Sequence, residues 1–223
     1  MSSTTGTTGG GFPAGPAPSA ARRRRERERA DARSAILAAA RDLARQDGWK
    51  AVTMRRLAER IDYSANFAYR YFSGRDDILL ALVRDGFTRL HESMTTAAAG
   101  QHGQKDGGAA GAVRRAGHAY LDFALADPDL YQVMYGLGGV NVPTADTFAE
   151  GQAVGDLLTG LLADAGDPDA SGHVLRLWAT VHGLLALLGV GRVELDTVHL
   201  QGMLDAALDE VLRPLTPAGQ ERA

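Results

Sequence analysis

The chain has 223 residues, of which 45% are hydrophobic, 23% are charged and none is cysteine, and its formal net charge is −3. This length and composition are typical of a globular protein of one or two domains, and the lack of thiols excludes disulfides, thiolate zinc sites and a cysteine nucleophile. Residues 1–75 carry 15 basic against 7 acidic side chains, a charge of +8, whereas residues 76–223 carry 9 against 20, a charge of −11. This asymmetry indicates that the first part of the chain meets a polyanion.

The first 21 residues are almost entirely Gly, Pro, Ser, Thr and Ala. We expect a disordered tail here, because such a segment buries too little apolar surface to offset its conformational entropy. No apolar stretch follows the first basic residues, so no signal peptide is predicted. The most apolar segment, residues 177–193, contains His182 and Arg192 and is interpreted as a buried helix rather than a membrane span. A cytoplasmic protein without a membrane partner is therefore expected.

The segment RRRRERER, residues 22–29, opens the first predicted helix. Two interpretations of this arginine run remain open, namely an arm that lies on phosphates or in a DNA minor groove and a solvated helix start. From Ile36 onward apolar residues recur at helical spacing, and Gly48 is placed to end the helix.

Residues 53–72 predict two short helices joined by a tight turn, which is a helix-turn-helix. Thr53 can cap the first helix, whose apolar face comprises Met54, Leu57, Ala58 and Ile61. Ser64 is placed to cap the second helix, whose inward face comprises Ala65, Ala68 and Phe72. The side chains left on its outward face are Asn66, Phe67, Tyr69 and Arg70. Such a face suits base edges and phosphates, although an ordinary helical hairpin with surface aromatics has the same spacing.

The remainder of the chain also has helical periodicity and no alternating strand pattern. Helices are predicted at about 76–96, 112–126, 144–164, 170–190 and 197–212, with a short helix that Asp127 caps and Pro128 begins. We predict an all-α fold of about nine helices. An N-terminal three-helix unit, residues 22–75, carries the helix-turn-helix, and a C-terminal helical bundle occupies residues 76–223.

Residues 52–83, VTMRRLAERIDYSANFAYRYFSGRDDILLALV, resemble the DNA-binding domain of the TetR family of transcriptional regulators. The shared features are Thr53, Leu57-Ala58, Tyr63-Ser64, the segment 68–72, Arg75 and Asp76-Asp77. Asp62 stands where the family's turn usually has Gly, Asn66 where it has Gly or Pro, and Ala68 where it has Leu. Farther on, Trp178, His182 and Gly183 resemble the signature of a C-terminal domain type named for Trp-His-Gly.

The resemblance implies a DNA-binding role for ten residues. Those implied to bind phosphate are Thr53, Tyr69, Tyr71 and Arg75. Those implied to lie at the major groove are Arg55, Ala65, Asn66, Phe67 and Arg70. Ser64, at the start of the second helix, is the tenth DNA-binding residue. Arg55 suits guanine, Asn66 suits adenine and Phe67 suits a thymine methyl group. The alternative for Arg55 is contact with a phosphate alone, which is the commoner role of an arginine.

The two long apolar helices near the C-terminus predict a second chain or a ligand. The helix at 170–190 is apolar nearly all round, so it needs cover on every side, and pairing across a two-fold axis would supply it. The predicted dimer interface comprises Val181, Leu185, Leu188, Leu200, Leu204 and Leu208; burial within a single bundle is the alternative. The predicted ligand pocket comprises Tyr120, Phe123, Tyr131, Met134, Phe148, Trp178 and His182, all of which also suit an ordinary core.

We expect a ligand-responsive DNA-binding regulator, a repressor that binds a palindromic operator as a homodimer. Its expected partners are double-stranded DNA and an unidentified small-molecule effector. No phosphate-binding loop, HExxH or GxSxG motif is present, so no enzyme activity, metal or cofactor is expected. The alternative is a helical small-molecule-binding protein or enzyme whose basic N-terminal face receives an acidic partner.

Overall fold

The computed structural model describes residues 19–62, 64–100, 108–137, 139–140 and 142–215. Within these ranges the chain forms nine α-helices and no strand, which confirms the predicted all-α fold. Most of the predicted disordered tail, residues 1–18, lies outside the described residues. In the described part of the chain, no helix has both the length and the apolarity that crossing a bilayer requires.

Three helices form the N-terminal unit: α1 (Ala20–Asp47), α2 (Met54–Arg60) and α3 (Ala65–Tyr69). The side chain of Ser19 accepts a hydrogen bond of 3.3 Å from the Arg22 amide, so α1 takes in residues 20 and 21 of the predicted tail. Helix α1 ends at Gly48, whose φ of 76° is readily accessible only to glycine. A 3-10 turn, Trp49–Ala51, leads to α2.

Six helices follow: α4 (Arg75–Ala99), α5 (Gly108–Ala126), α6 (Pro128–Met134), α7 (Phe148–Asp164), α8 (Ala170–Gly189) and α9 (Thr197–Leu212). As predicted, the Asp127 side chain caps α6, accepting a bond of 3.2 Å from the Leu130 amide. Helix α7 begins at residue 148 rather than 144, because Thr144–Asp146 forms a separate 3-10 turn.

Helix α4 packs along α5, while the short helix α6 contacts α1, α4 and α5. One continuous cluster of buried apolar side chains extends from Ile36 in α1 to Leu212 in α9. The N-terminal unit and the C-terminal bundle therefore share a core.

Candidate nucleic-acid interface

Helix α2 begins at a side-chain cap and buries one face. The Thr53 hydroxyl oxygen accepts a bond of 3.3 Å from the Arg56 amide, which confirms the predicted cap. Met54, Leu57 and Ala58 are buried, whereas Arg55 points away, with 84% of its side chain exposed. The first helix of the motif is thus fixed from behind and presents an arginine to solvent.

The turn between α2 and α3 contains a residue in the left-handed region. Asp62 has a φ of 56°, a conformation that Asp tolerates better than most non-glycine residues. Asp62 therefore fits the position where the family usually has glycine. Ser64 stands at the start of α3 in an extended conformation, but its side chain makes no capping hydrogen bond. The predicted Ser64 cap is wrong in this respect, since its backbone carbonyl accepts the bond from the Phe67 amide, at 2.9 Å.

Helix α3 is held by two buried side chains and by an arginine from α1. Ala68 is 0% and Phe72 1% exposed, as the inward face predicted. The Arg33 guanidinium lies 4.1 Å from the centre of the Phe72 ring and donates a bond of 2.7 Å to the carbonyl of Tyr71. Sequence reasoning missed this residue; the available signal was a charged side chain three positions before Ile36, on the apolar face of α1.

Six of the ten residues implied to bind DNA are exposed on the α2–α3 unit. They are Thr53, Arg55, Ser64, Asn66, Tyr69 and Arg70. Tyr69 is the clearest case, because 53% of a large aromatic side chain faces solvent with no core to pack against. An exposed tyrosine between exposed Asn and Arg side chains suits a phosphate backbone and base edges.

The other four residues are placed differently. Phe67 is half-buried, and its ring centre lies 5.1 Å from that of Tyr71, which is also half-buried. Arg75 donates bonds of 2.9 Å and 3.1 Å to the carbonyls of Val52 and Trp49, so its guanidinium supports the chain before α2. The side chain of Ala65 lies outside the described atoms, as does the whole of Tyr63.

Two contacts join the N-terminal unit to the first turn of α6. The indole nitrogen of Trp49, which is 4% exposed, donates a bond of 2.8 Å to the carbonyl of Asp129. Arg41 forms an ion pair with Asp127, and 25% and 13% of the two side chains are exposed. Sequence reasoning treated Asp127 only as a helix cap, since nothing in the local pattern shows which distant element α6 will contact.

Two family profiles match separate parts of the sequence. The profile described as "Bacterial regulatory proteins, tetR family" matches residues 36–82, and "Tetracyclin repressor-like, C-terminal domain" matches residues 113–211. The chain belongs to the TetR family. The first match contains the whole α2–α3 unit, and the second contains the Trp-His-Gly motif, so the resemblance predicted from both segments is confirmed.

Solved structures agree with this assignment. A Rhodococcus sp. RHA1 protein of unknown function is 28% identical, with a TM-score of 0.69 over 83% of this chain and 96% of that one. A transcriptional regulator from the same organism is 21% identical, with a TM-score of 0.67 over 82% and 96% of the two chains. The fatty acid degradation regulator FadR from Bacillus halodurans is 13% identical, with a TM-score of 0.66 over 81% and 94%. Among curated proteins, none matches significantly.

The Trp-His-Gly motif of this TetR regulator lies in a cluster of polar aromatic side chains. Trp178 donates a bond of 3.2 Å from its indole nitrogen to the Tyr120 hydroxyl, which lies 3.1 Å from the Tyr131 hydroxyl. Tyr131 in turn bonds to Nδ1 of His182. Tyr135 completes the cluster, with its ring centre 4.2 Å from that of His182.

Burial controls the protonation of this cluster. It raises the pKa of the Tyr120, Tyr131 and Tyr135 hydroxyls and lowers the pKa of His182 to about 4, because desolvation disfavours the charged form of each group. His182 is therefore neutral at pH 7. Its Nε2 atom is buried and has no hydrogen-bond partner in the described part of the chain.

The predicted pocket residues largely assemble, but they pack on one another. Tyr120, Tyr131 and Met134 are buried, while Trp178 is 42% exposed; the Phe148 side chain lies outside the described atoms. An open cleft of about 390 Å³ lies instead between α4 and α7. Its lining residues, none of them predicted, are Phe87, Thr88, His91, Glu92, Ala149, Glu150 and Ala153.

The side chains predicted for the dimer interface lie mostly in the core of the single chain. Val181, Leu185, Leu200, Leu204 and Leu208 are each at most 9% exposed, and Leu188 is half-buried. Because these side chains are already covered within one chain, they have little surface left for a second. The large apolar side chains that α8 and α9 do expose are Leu175, Trp178, Leu187, Val198 and Met203, with Val190 directly after α8.

Proposed function

We propose that this TetR regulator is a repressor that binds a two-fold symmetric operator as a homodimer and leaves it when a small molecule binds the C-terminal bundle. The observation that carries the proposal is the α2–α3 unit, whose polar and aromatic side is exposed while Ala68 and Phe72 fix it from behind. The +8 charge of residues 1–75 supports attraction to a phosphate backbone.

The exposed residues divide into two roles. Arg55 and Asn66 have the donor geometry for guanine and adenine, and each such pair contributes about 1–3 kcal/mol of discrimination. Tyr69 and Thr53 have hydroxyl groups suited to phosphates, which position the protein without reading sequence. Arg75, whose guanidinium already bonds two carbonyls, supports the fold of this unit.

Exposed apolar surface on α8 and α9 supports the homodimer. Leu175, Leu187 and Val190 are 61%, 44% and 71% exposed, which is unusual for a water-soluble surface and typical of a protein–protein interface. A Cβ atom added at Gly183 or Gly202 would meet no atom of the described residues within 4 Å apart from its own helix backbone and chain neighbours, so this face also offers room for close approach of a second helix. The dimer interface would then be formed by faces of α8 and α9 other than those predicted.

Two features support an effector site in the bundle. The buried Nε2 of His182, which has no hydrogen-bond partner among the described residues, offers a hydrogen bond to a ligand that opens the cluster, because an unmade buried bond is costly. The cluster also reaches α6 through Tyr131, and the first turn of α6 contacts the N-terminal unit through Trp49 and Arg41. A ligand that moves α6 would therefore change how the two DNA-reading units are held, and DNA affinity would fall by its preference for that form.

DNA recognition is tested by selecting bound fragments from a random duplex pool. The recovered site is expected to be palindromic, with half-sites about one helical turn apart. In gel-shift titrations Tyr69→Ala should weaken binding to all sequences, whereas Arg55→Ala should mainly relax sequence choice. Arg176→Ala, which removes an exposed arginine from α8, is the matched control. If Tyr69→Ala and Arg55→Ala both bind the selected site like the wild type, the α2–α3 assignment is wrong.

Dimerisation is tested with a charge on the exposed apolar face. Leu187→Glu should give a folded monomer in sedimentation experiments, because the side chain is 44% exposed and its loss costs the single chain little. Ala163→Glu, at an exposed position of α7, should remain dimeric. A Leu187→Glu chain that still sediments as a dimer would refute this interface. Run-off transcription from a promoter that overlaps the selected site tests repression, which requires fewer transcripts when the protein is added.

A further inference from the structure

Helix α1 extends far beyond the core that it helps to form. Every residue from Ala20 to Asp31 is exposed, and these twelve residues span about 18 Å of helix. They include six arginines, at positions 22–25, 27 and 29, against three acidic residues. An exposed cationic helix of this length does not stabilise the core, so its composition calls for a partner outside the chain.

The six arginines divide into two sets of three on opposite sides of the helix. At about 100° per residue, Arg22, Arg25 and Arg29 fall within roughly 60° of each other, and Arg33 lies about 20° beyond Arg22 on the same side. We call these three residues the arginine stripe. The other three arginines, at positions 23, 24 and 27, lie on the opposite side.

The arginine stripe continues the face that α1 turns toward the helix-turn-helix. Farther along, the same side of α1 carries the buried Ile36, Ala40 and Leu43. Arg33, between the stripe and these residues, contacts the segment directly after α3 through Tyr71 and Phe72. If the extension packed on its own chain, this side would be apolar; instead it is cationic, and it continues the side on which Arg33 contacts the residues after α3.

The charges of the stripe are available to a partner. Arg25 and Arg29 form no hydrogen bond or ion pair with the described residues. Arg22 pairs with Glu26 at 2.8 Å, but 72% and 56% of the two side chains are exposed. An exposed pair of this kind contributes little, so Arg22 can exchange its carboxylate for a phosphate at small cost.

We propose that the arginine stripe is a second DNA-binding element, which lies on the phosphate backbone beside the groove entered by α3. The proposal rests on the DNA-binding function proposed above. Phosphates are favoured over the minor groove because the segment is helical: an α-helix with side chains is about 10 Å across, whereas the minor groove is about 6 Å wide. The stripe would add affinity without adding sequence specificity.

The test compares two triple variants, R22A/R25A/R29A and R23A/R24A/R27A. Each removes three positive charges from the same helix, and alanine preserves helicity, which circular dichroism verifies. Affinity for the selected operator is measured as a function of salt. Because each phosphate contact contributes about 0.9 to the slope of log K against log salt, the stripe variant should lose two to three units of slope per subunit, about five for the bound homodimer, and at least tenfold in affinity. The control variant should lose less than one unit.

Two single variants provide a test of opposite sign. Glu26 pairs with Arg22 of the stripe at 2.8 Å, whereas Glu28 pairs at 3.3 Å with Arg24, which belongs to the other set of arginines. Glu26→Gln should tighten operator binding several-fold, and Glu28→Gln should do so by a smaller factor. In hydroxyl-radical footprints, the stripe variant should lose the protected sugars beside the phosphates that the stripe contacts and keep the protected sugars around the bases that α3 contacts.

The outcomes separate the stripe from the helix-turn-helix. If the two triple variants weaken binding equally, the effect is general charge and the stripe is wrong. If both bind like the wild type while Tyr69→Ala does not, the stripe alone is wrong and the proposed function stands. If the wild-type chain binds no duplex at low salt, both proposals are wrong.

Discussion

Arg33→Ala is the sharpest test of how α1 fixes the residues directly after α3. Arg33 is half-buried and donates a 2.7 Å bond to the Tyr71 carbonyl. Its guanidinium also lies 4.1 Å from the centre of the Phe72 ring. The substitution removes both contacts. It should not weaken α1 itself, because alanine has the highest helix propensity.

The expected loss follows from these two contacts. A hydrogen bond from a charged donor contributes about 1.5–3 kcal/mol, and the lower end applies because the side chain is partly solvated. A cation–π contact contributes about 0.5–1 kcal/mol at such a site. Since contacts made by one side chain are not additive, we expect the free energy of unfolding to fall by about 2 kcal/mol.

Urea unfolding followed by circular dichroism measures this loss. Arg33→Met retains most of the apolar stem and should lose nearly as much stability as Arg33→Ala, which assigns the effect to the guanidinium. Arg27→Ala, in the exposed part of the same helix, is the control and should stay within about 0.5 kcal/mol of the wild type. An Arg33→Ala protein as stable as that control would show that the contacts of Arg33 with Tyr71 and Phe72 do not stabilise the fold.

Three further predictions follow from single residues. Asp62→Val should lower the free energy of unfolding by about 1–2 kcal/mol, because a β-branched residue is strained at a φ of 56°, while Asp62→Gly should change it by less than about 0.5 kcal/mol; equal urea midpoints would contradict this. Trp49→Phe keeps the ring and removes the bond to the Asp129 carbonyl, so we expect a loss of about 1 kcal/mol and a weaker effect of effector on DNA affinity; an unchanged urea midpoint would contradict the first. The pKa of His182 falls from 6.5 to about 4 on folding, so the unfolded chain binds more protons between these values and stability decreases as pH is lowered from 6.5 through 4. The unfolding free energy of the wild type, measured in urea relative to that of His182→Gln, should therefore decrease as pH is lowered across that range; a constant difference would exclude the pKa shift.

Local patterns were sufficient to predict the helices and the reading unit. Thr53, Gly48 and Asp127 mark helix ends through chemistry confined to a few neighbouring residues, and the apolar spacing around Leu57 identifies a buried face without knowledge of what covers it. The all-α fold and the α2–α3 unit followed from such signals. The short helix α3 was predicted too long, because nothing in the spacing shows that the chain tightens into a turn after Tyr69.

Contacts between distant elements could not be predicted. The apolar periodicity of α8 and α9 is nearly complete, so it does not indicate which side faces the bundle. Leu204, predicted at the dimer interface, is buried within the single chain. The same limit applies to Arg75, which resembles a phosphate-binding residue but bonds the carbonyls of Val52 and Trp49. The role of a side chain with several possible partners can be assigned only when the fold shows which of those partners lies near it.

The brevity of α3 limits how much sequence information one subunit can extract. Five residues, Ala65–Tyr69, span about 7.5 Å of helix axis, the length of roughly two base steps at 3.4 Å each. Few nucleotides per half-site can therefore be distinguished by direct contact, and many imperfect copies of such a short sequence occur by chance in any genome. Discrimination among them must come from the distance between the two half-sites and from the bending energy of the intervening duplex. Lengthening that spacer by one base pair should therefore lower affinity for the operator more than changing most of its single base pairs.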